Sequence, residues 1–276
     1  MSDLNMSDVF KLKPGSQPLL ISMPHVGTAI PTELLARLQP RAARTEDTDW
    51  HLERLYAELA DQLGASLIVP HYSRYVIDLN RPPQDQPMYP GKSNTELCPT
   101  RFFTGEPLYL DGQAPEAAER AQRLERYWQP YHAALQGELD RLKSLHGRAF
   151  LFDAHSIRSE LPWLFDGRLP DLNLGTAEGD AADPAITTAL SAVLAGQTDY
   201  SHVSNGRFKG GYITRHYGRP ELRQHAVQLE MCWRCYMEEE PIDGPPSFAF
   251  DEVRARRVRP LLGLLLRSLL NSRAPS

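Results

Sequence analysis

Three short apolar runs, each ending in or carrying a polar group, constrain this chain more than any other feature of its sequence. Leu19-Leu20-Ile21-Ser22-Met23 stops at Pro24 and delivers His25, and Phe150-Leu151-Phe152 leads straight into Asp153-Ala154-His155-Ser156. Ala226–Met231 carries Glu230. Runs this short and this apolar read as buried strands. Ser66–Val69 and Tyr75–Leu79 are two further strand candidates. Helical patterns stand between them. Pro31 opens a short helix, and Leu52, Leu55, Tyr56, Leu59 and Leu63 form a stripe that Gly64 stops. Ala114–Leu145 is helical in composition, with Pro130 expected to kink or divide it. Asp183-Pro184 caps a helix to about Leu194, and Glu252–Leu270 closes the chain as another. Strands alternating with helices predict a three-layer α/β fold with a mainly parallel or mixed sheet.

The chain has 276 residues, enough for a sizeable core, and shows no internal repeat or linker, so 1–276 reads as a single domain. Thirty basic against 35 acidic side chains give a net charge of -5. That balance argues against a nucleic-acid partner, which would call for clustered basic charge. Cys98, Cys232 and Cys235 are too few and odd in number for a disulfide framework. The N-terminus lacks a signal-peptide pattern, and the longest apolar run, Leu261–Leu270, contains Arg267 and falls far short of the roughly 20 residues a bilayer span needs. A cytoplasmic protein with no membrane partner is expected, and its oligomeric state is left open.

In open α/β sheets, ligands sit beyond the carboxyl ends of the strands, so His25, Asp153, His155 and Glu230 are candidates for one convergent site. Two histidines and a carboxylate suit a catalytic zinc, although no HExxH helix is present and Thr28 stands at the third position after His25. Glu46-Asp47-Thr48-Asp49 offers the carboxylate, and on spacing alone ordinary capping of the next helix by Thr48 or Asp49 is the simpler reading. Glu230 shares a strand face with Gln228 and Cys232 and is the general-base candidate, unless that strand is a solvated edge. Arg81, beside Asn80, and Arg215 are placed at strand-to-loop junctions, and Arg101 lies in the long segment from Pro82 to Thr104. Arginine forks bind carboxylates bidentately, which points to a small anionic substrate. Cys232-Trp233-Arg234-Cys235 has CxxC spacing without a second pair, and Gly206–Gly211 lacks both Walker A and GxGxxG spacing. The latter reads as a turn beside the site.

With these residues laid out, the chain resembles the N-formylglutamate amidohydrolase (N-formylglutamate deformylase) family. The matching blocks are ISMPHVG at 21–27, EDTDWH at 46–51, SRYVIDLNRPP at 73–83, LCPTRFFTGEPLY at 97–109, FDAHS at 152–156, NGRFKGGYITRHYG at 205–218 and VQLEM at 227–231. The resemblance runs from about residue 15 to about residue 270. It implies a zinc-carboxypeptidase-like (phosphorylase/hydrolase-like) fold and metal-dependent hydrolysis of N-formyl-L-glutamate to glutamate and formate in histidine breakdown. The cofactor is expected to be Zn²⁺ or another divalent metal. The resemblance further implies His25 and His155 as metal ligands with Asp49 as the acidic third, ahead of Asp47 and Glu46. Glu230 would handle protons, Asn80, Arg81 and Arg215 would anchor substrate, and Asp153 would orient a ligand histidine. Two rival functions are a related N-acyl amino acid amidohydrolase, desuccinylase- or aspartoacylase-like, and a non-catalytic small-anion binding protein.

Overall fold

The computed structural model describes residues 9–87, 94–240 and 247–272. Among these, β1 (Phe10–Lys13), β2 (Leu19–Ser22), β3 (Ser66–Pro70), β4 (Ala149–Ile157), β5 (Leu172–Gly175), β6 (His202–Ser204) and β7 (Gln224–Cys232) form one sheet in the order β1-β3-β2-β4-β7-β5-β6. The central strands β3, β2, β4 and β7 run parallel. β1 is antiparallel to β3, and β5 is antiparallel to β7 with β6 parallel beside it. The sheet is therefore mixed, as the alternating pattern predicts.

Successive residues of a strand face opposite sides, so each central strand feeds two cores. Ile21, Phe152 and Leu229 point to one side, where they pack with Leu55 of α2 (Leu52–Leu63), Leu190 of α5 (Pro184–Ala195) and Leu262 of α7 (Glu252–Asn271). Leu20, Leu151 and Ala226 point to the other, against Tyr131, Leu135 and Leu139 of α4 (Gln129–His146). Helices thus cover both faces. The remaining helices are α1 (Thr32–Leu35), α3 (Ala117–Arg123) and α6 (Tyr212–Tyr217). No helix among the described residues is long and apolar enough to cross a membrane.

Several local expectations hold. Asp183 accepts from Ala185 N at the start of α5, and Gly64 ends α2 in the left-handed conformation (φ 63°) that a side chain would strain. Pro130 divides its helical segment. α3 gives way to a π-helical turn over Leu124–Trp128, and α4 begins immediately before the proline, whose missing N–H falls in a first turn.

Three expectations need correction. Tyr75–Leu79 is not a strand. It is an irregular buried segment packed into the α4-side core, and an apolar run buried by tertiary contacts looks like a strand in sequence. Tyr212–Tyr217 is helix α6, so Arg215 does not follow a strand. Neither Thr48 nor Asp49 caps α2: its N-cap is His51, at φ 62° and without a side-chain cap bond. That last correction frees the Asp49 carboxylate for another use.

Candidate active site

β4 runs on to Ile157, so Asp153 and His155 lie within the strand, on the face opposite Phe152 and Ala154. Register pairs Asp153 with Gln228 and His155 with Glu230 of β7, and Glu230 in turn with Asn173 of β5. A row of polar side chains thus crosses three neighbouring strands at one face. β7 lies between β4 and β5, so Glu230 does not sit on a solvated edge. The row is buried, and buried polar groups demand partners.

His25 follows β2 past Pro24, and its carbonyl accepts from Asp49 N at 3.0 Å, which draws the Asp49 loop against it. Asp49 Oδ2 stands 3.2 Å from His155 Nδ1 and 3.8 Å from His25 Nδ1, and it accepts from Ser156 N at 3.1 Å. One donor atom from each of His25, Asp49 and His155 falls within 4.8 Å of the others. The rival carboxylates are committed elsewhere. Glu46 pairs with Arg41 and Arg44, while Asp47 Oδ2 accepts from Phe103 N at 3.0 Å.

Each imidazole is backed by a carboxylate on its far nitrogen. His25 Nε2 lies 2.7 Å from Asp78 Oδ1, and His155 Nε2 lies 2.8 Å from Asp153 Oδ2. Arg74 NH2 donates to Asp78 Oδ2 at 2.6 Å, beneath the ring of Phe103. Burial opposes an ionised Asp78, yet His25 and the Arg74 guanidinium hold its carboxyl well below the usual range. Burial, helped by Arg74, lowers the pKa of His25, against the pull of Asp78. Burial would lower His155 too, but Asp153 and Asp49 overcome it and hold the ring well above the ordinary imidazole range. Asn80 completes the backing. Its Oδ1 accepts from Ile213 N, which turns Nδ2 towards Asp153 Oδ2 (3.2 Å) and His155 Nε2 (3.0 Å).

This donor set fits a divalent cation. A carboxylate can only accept, so Asp78 places the proton of His25 on Nε2 and leaves a lone pair on Nδ1. That Nδ1 is buried with no hydrogen-bond partner and sits beside the anionic Asp49. Two imidazoles and one carboxylate, each backed from behind, are the ligand types of a catalytic zinc site. Gly211 packs directly on Asn80: a Cβ there would fall 2.4 to 2.6 Å from its amide. Gly211→Ala should therefore dislodge Asn80 and weaken divalent-cation binding about tenfold, the lower end for loss of a supporting contact. Titration calorimetry with Zn²⁺ checks this, and an unchanged affinity would refute the coupling.

Glu230 faces the same space. Burial pushes its carboxyl up to about 8, against the pull of His155, with Asp49 adding to the rise. Gln228 Nε2 donates to Glu230 Oε2 at 3.3 Å, and Gln228 Oε1 accepts from Gly211 N at 2.8 Å, so the carboxyl is oriented. Its folded pKa lies above its unfolded value near 4.5. The stability that Glu230 contributes to the cation-free protein is thus complete below that value and lost as pH rises through about 8. Between pH 5 and pH 9, wild-type melting should fall by on the order of 5 °C more than that of Glu230→Gln. Calorimetric scans in chelator measure the difference, and parallel curves would contradict it.

His25, Asp49, His155 and Glu230 line one cleft, with Arg74, Asn80, Arg81, Arg207, Gln228 and a rim of Phe103, Leu164 and Phe208. A model of the N-formylglutamate amidohydrolase family matches residues 17–237. The chain belongs to the N-formylglutamate amidohydrolase family. It is 51% identical over 265 residues to an N-formylglutamate deformylase of Pseudomonas aeruginosa, covering 96% of this chain and 97% of that relative. It is 50% identical over 266 residues to one from Pseudomonas putida, with the same coverage. Its fold matches the crystal structure of an N-formylglutamate amidohydrolase from Ralstonia eutropha JMP134 at a TM-score of 0.76, 25% identity and coverage of 95% and 96%.

In this member of the family, the structure brings His25, Asp49, His155, Asp153, Asn80, Arg81 and Glu230 together. It does not bring Arg215 to the cleft. That side chain is exposed on α6, with Nε donating to Gly210 O, because the segment is helical where the sequence pattern predicts a strand. Arg101 is likewise exposed, bonded to Gly105 O. Sequence reasoning assigns no role to Asp78, Arg74, Gln228 or Arg207. Asp78 carries a signal, since a carboxylate inside the apolar run Tyr75–Leu79 needs a partner. Cys232 and Cys235 are free and buried; burial pushes Cys232 up to about 12 and raises Cys235 as well, which leaves both as inert thiols.

Proposed function

We propose that this protein hydrolyses N-formyl-L-glutamate to L-glutamate and formate, using Zn²⁺ or another divalent metal, as a step of histidine breakdown in the cytoplasm. One observation carries the reading: a buried His25–Asp49–His155 group stands beside a glutamate with a raised pKa, in a chain half-identical to two N-formylglutamate deformylases. Residues 1–276 act as one domain in this account. Helices on both faces of a mixed sheet, with the site at strand carboxyl ends, support a zinc-carboxypeptidase-like (phosphorylase/hydrolase-like) architecture.

His25, Asp49 and His155 hold the cation. When bound, it supplies Lewis acidity to the formyl carbonyl and lowers the pKa of water towards about 7. Glu230 removes a proton from the attacking water and returns it to the departing α-nitrogen, so that formate and the free amino acid leave. Its burial suits both roles, because a carboxyl titrating near the working pH gives and takes protons readily. Asp78 and Asp153 keep the ligand rings in one tautomer and orientation. Asn80 and Arg81 meet the anionic substrate beside His155.

The test is formate release from N-formylglutamate, run alongside N-acetyl- and N-succinylglutamate, before and after chelation and Zn²⁺ return. The formyl substrate should turn over fastest, chelation should abolish the activity, and Zn²⁺ should restore it. Preference for a larger acyl group would make the protein a related N-acyl amino acid amidohydrolase. Binding of the anion without any turnover would make it a binding protein. Chelator-insensitive turnover would overturn the metal.

A further inference from the structure

We propose that Arg207 is the specificity residue of this site and that it recognises the side-chain carboxylate of the substrate. This rests on the reading of the site as an N-formylglutamate hydrolase. Arg207 lines the same cleft as His25, Asp49, His155 and Glu230, on the turn that follows β6. Two contacts build that turn into the wall. Arg207 NH2 donates to Leu164 O at 3.2 Å, and the next residue, Phe208, is clamped by Asn173, whose Nδ2 donates to Phe208 O at 2.5 Å while Oδ1 accepts from Phe208 N at 3.3 Å. Asn173 is buried on β5, directly opposite Glu230. The position of Arg207 is therefore referred, through one amide, to the strand that carries the base.

The order of strands decides which carboxylate Arg207 meets. Across the sheet run β2, which delivers His25, β4 with His155, β7 with Glu230, and β5 with the Asn173 clamp. Neighbouring strands stand about 4.8 Å apart, so the clamp lies roughly 10 Å from the strand that bears His155. From its formyl carbon to its side-chain carboxylate, extended N-formylglutamate spans about 7 Å, and a hydrogen bond adds about 3 Å. With the formyl group at the ligand histidines, the far carboxylate reaches the β5 side. The α-carboxylate, two bonds from the scissile nitrogen, stays near Asn80, which contacts His155, and near its neighbour Arg81.

Arg74 and Arg81 also line the cleft. Arg74 is ion-paired with Asp78, and Arg81 donates to Thr95 O, Thr95 Oγ1 and Asn80 O, which fastens the 94–95 segment. Phe208 and Leu164 flank Arg207 with apolar surface. A charge-assisted pair formed there is shielded from water and correspondingly strong.

The experiment compares kcat/KM for N-formylglutamate and N-formylglutamine in wild type, Arg207→Met and Arg207→Lys. N-formylglutamine keeps the α-carboxylate and replaces only the far carboxylate by an amide. Wild type should prefer N-formylglutamate, and Arg207→Met should reduce that preference about 100-fold. Arg207→Lys should fall between the two. Because both substrates are assayed on one preparation, their ratio is independent of the active fraction, and a partly unfolded variant remains informative. An unchanged ratio in both variants overturns the assignment of Arg207, as does a common loss on both substrates, which would place it on the α-carboxylate. Failure of metal-loaded wild type to release formate from N-formylglutamate is a separate result, and it overturns the hydrolase reading instead.

Discussion

Glu230→Gln is expected to lower kcat for formate release about 1,000-fold, with KM changed less than about threefold and the bound metal retained. The substitution is nearly isosteric and keeps an acceptor for Gln228 Nε2, so the β4–β7–β5 row is undisturbed. What it removes is a group able to take a proton and give it back. In wild type that group is tuned by burial to titrate near 8 in the cation-free protein, and a bound cation would draw the value down towards neutrality. The diagnostic pattern is a fall in kcat without a fall in metal content, read by steady-state kinetics and elemental analysis on the same sample. Activity within tenfold of wild type would remove Glu230 from the mechanism.

The second large effect concerns Asp49. Asp49→Asn keeps the side-chain volume and an acceptor for Ser156 N, but it removes the negative charge between His25 and His155. Divalent-cation affinity should fall by more than 100-fold, beyond the roughly 10- to 100-fold typical when an outer partner of a ligand is lost. Asp153→Asn supplies that smaller comparison, because Asp153 meets His155 at its far nitrogen, away from Asp49. Zn²⁺ titration of the three proteins separates the classes. Equal losses in the two variants would mean that Asp49 supports the site without ligating.

The scaffold of this site is largely legible in the sequence, because its carriers are short runs buried on both sides, which composition and punctuation mark well. β2, β4 and β7 fall where the apolar runs stand, α5 starts at the Asp183 cap, and α7 fills the closing stretch that begins at Glu252. Side-chain direction along β7 follows from alternation, and it correctly sets Gln228 and Glu230 on one face. The partnerships are less legible. Asp78 backs His25 from an irregular segment whose apolar residues mimic a strand, and α6 is only six residues long, formed where tertiary contacts outweigh local preference. Arg215 therefore drops out of the cleft, and Arg207, eight positions earlier, occupies its wall. No spacing rule relates residue 207 to residue 164 or residue 173, because those contacts exist only once the sheet is assembled.

The row of His155, Glu230 and Asn173 has one consequence for how such an enzyme can diverge. Its members are spaced by main-chain hydrogen bonds, so their separation is shared by any descendant that keeps the strand order. The apolar rim and Arg207 hang instead on the connections around 157–169 and 205–211, where insertions and exchanges disturb little of the core. Bond-breaking chemistry is thus inherited with the sheet, while the choice of acyl amino acid can drift in two loops without reopening the problem of folding.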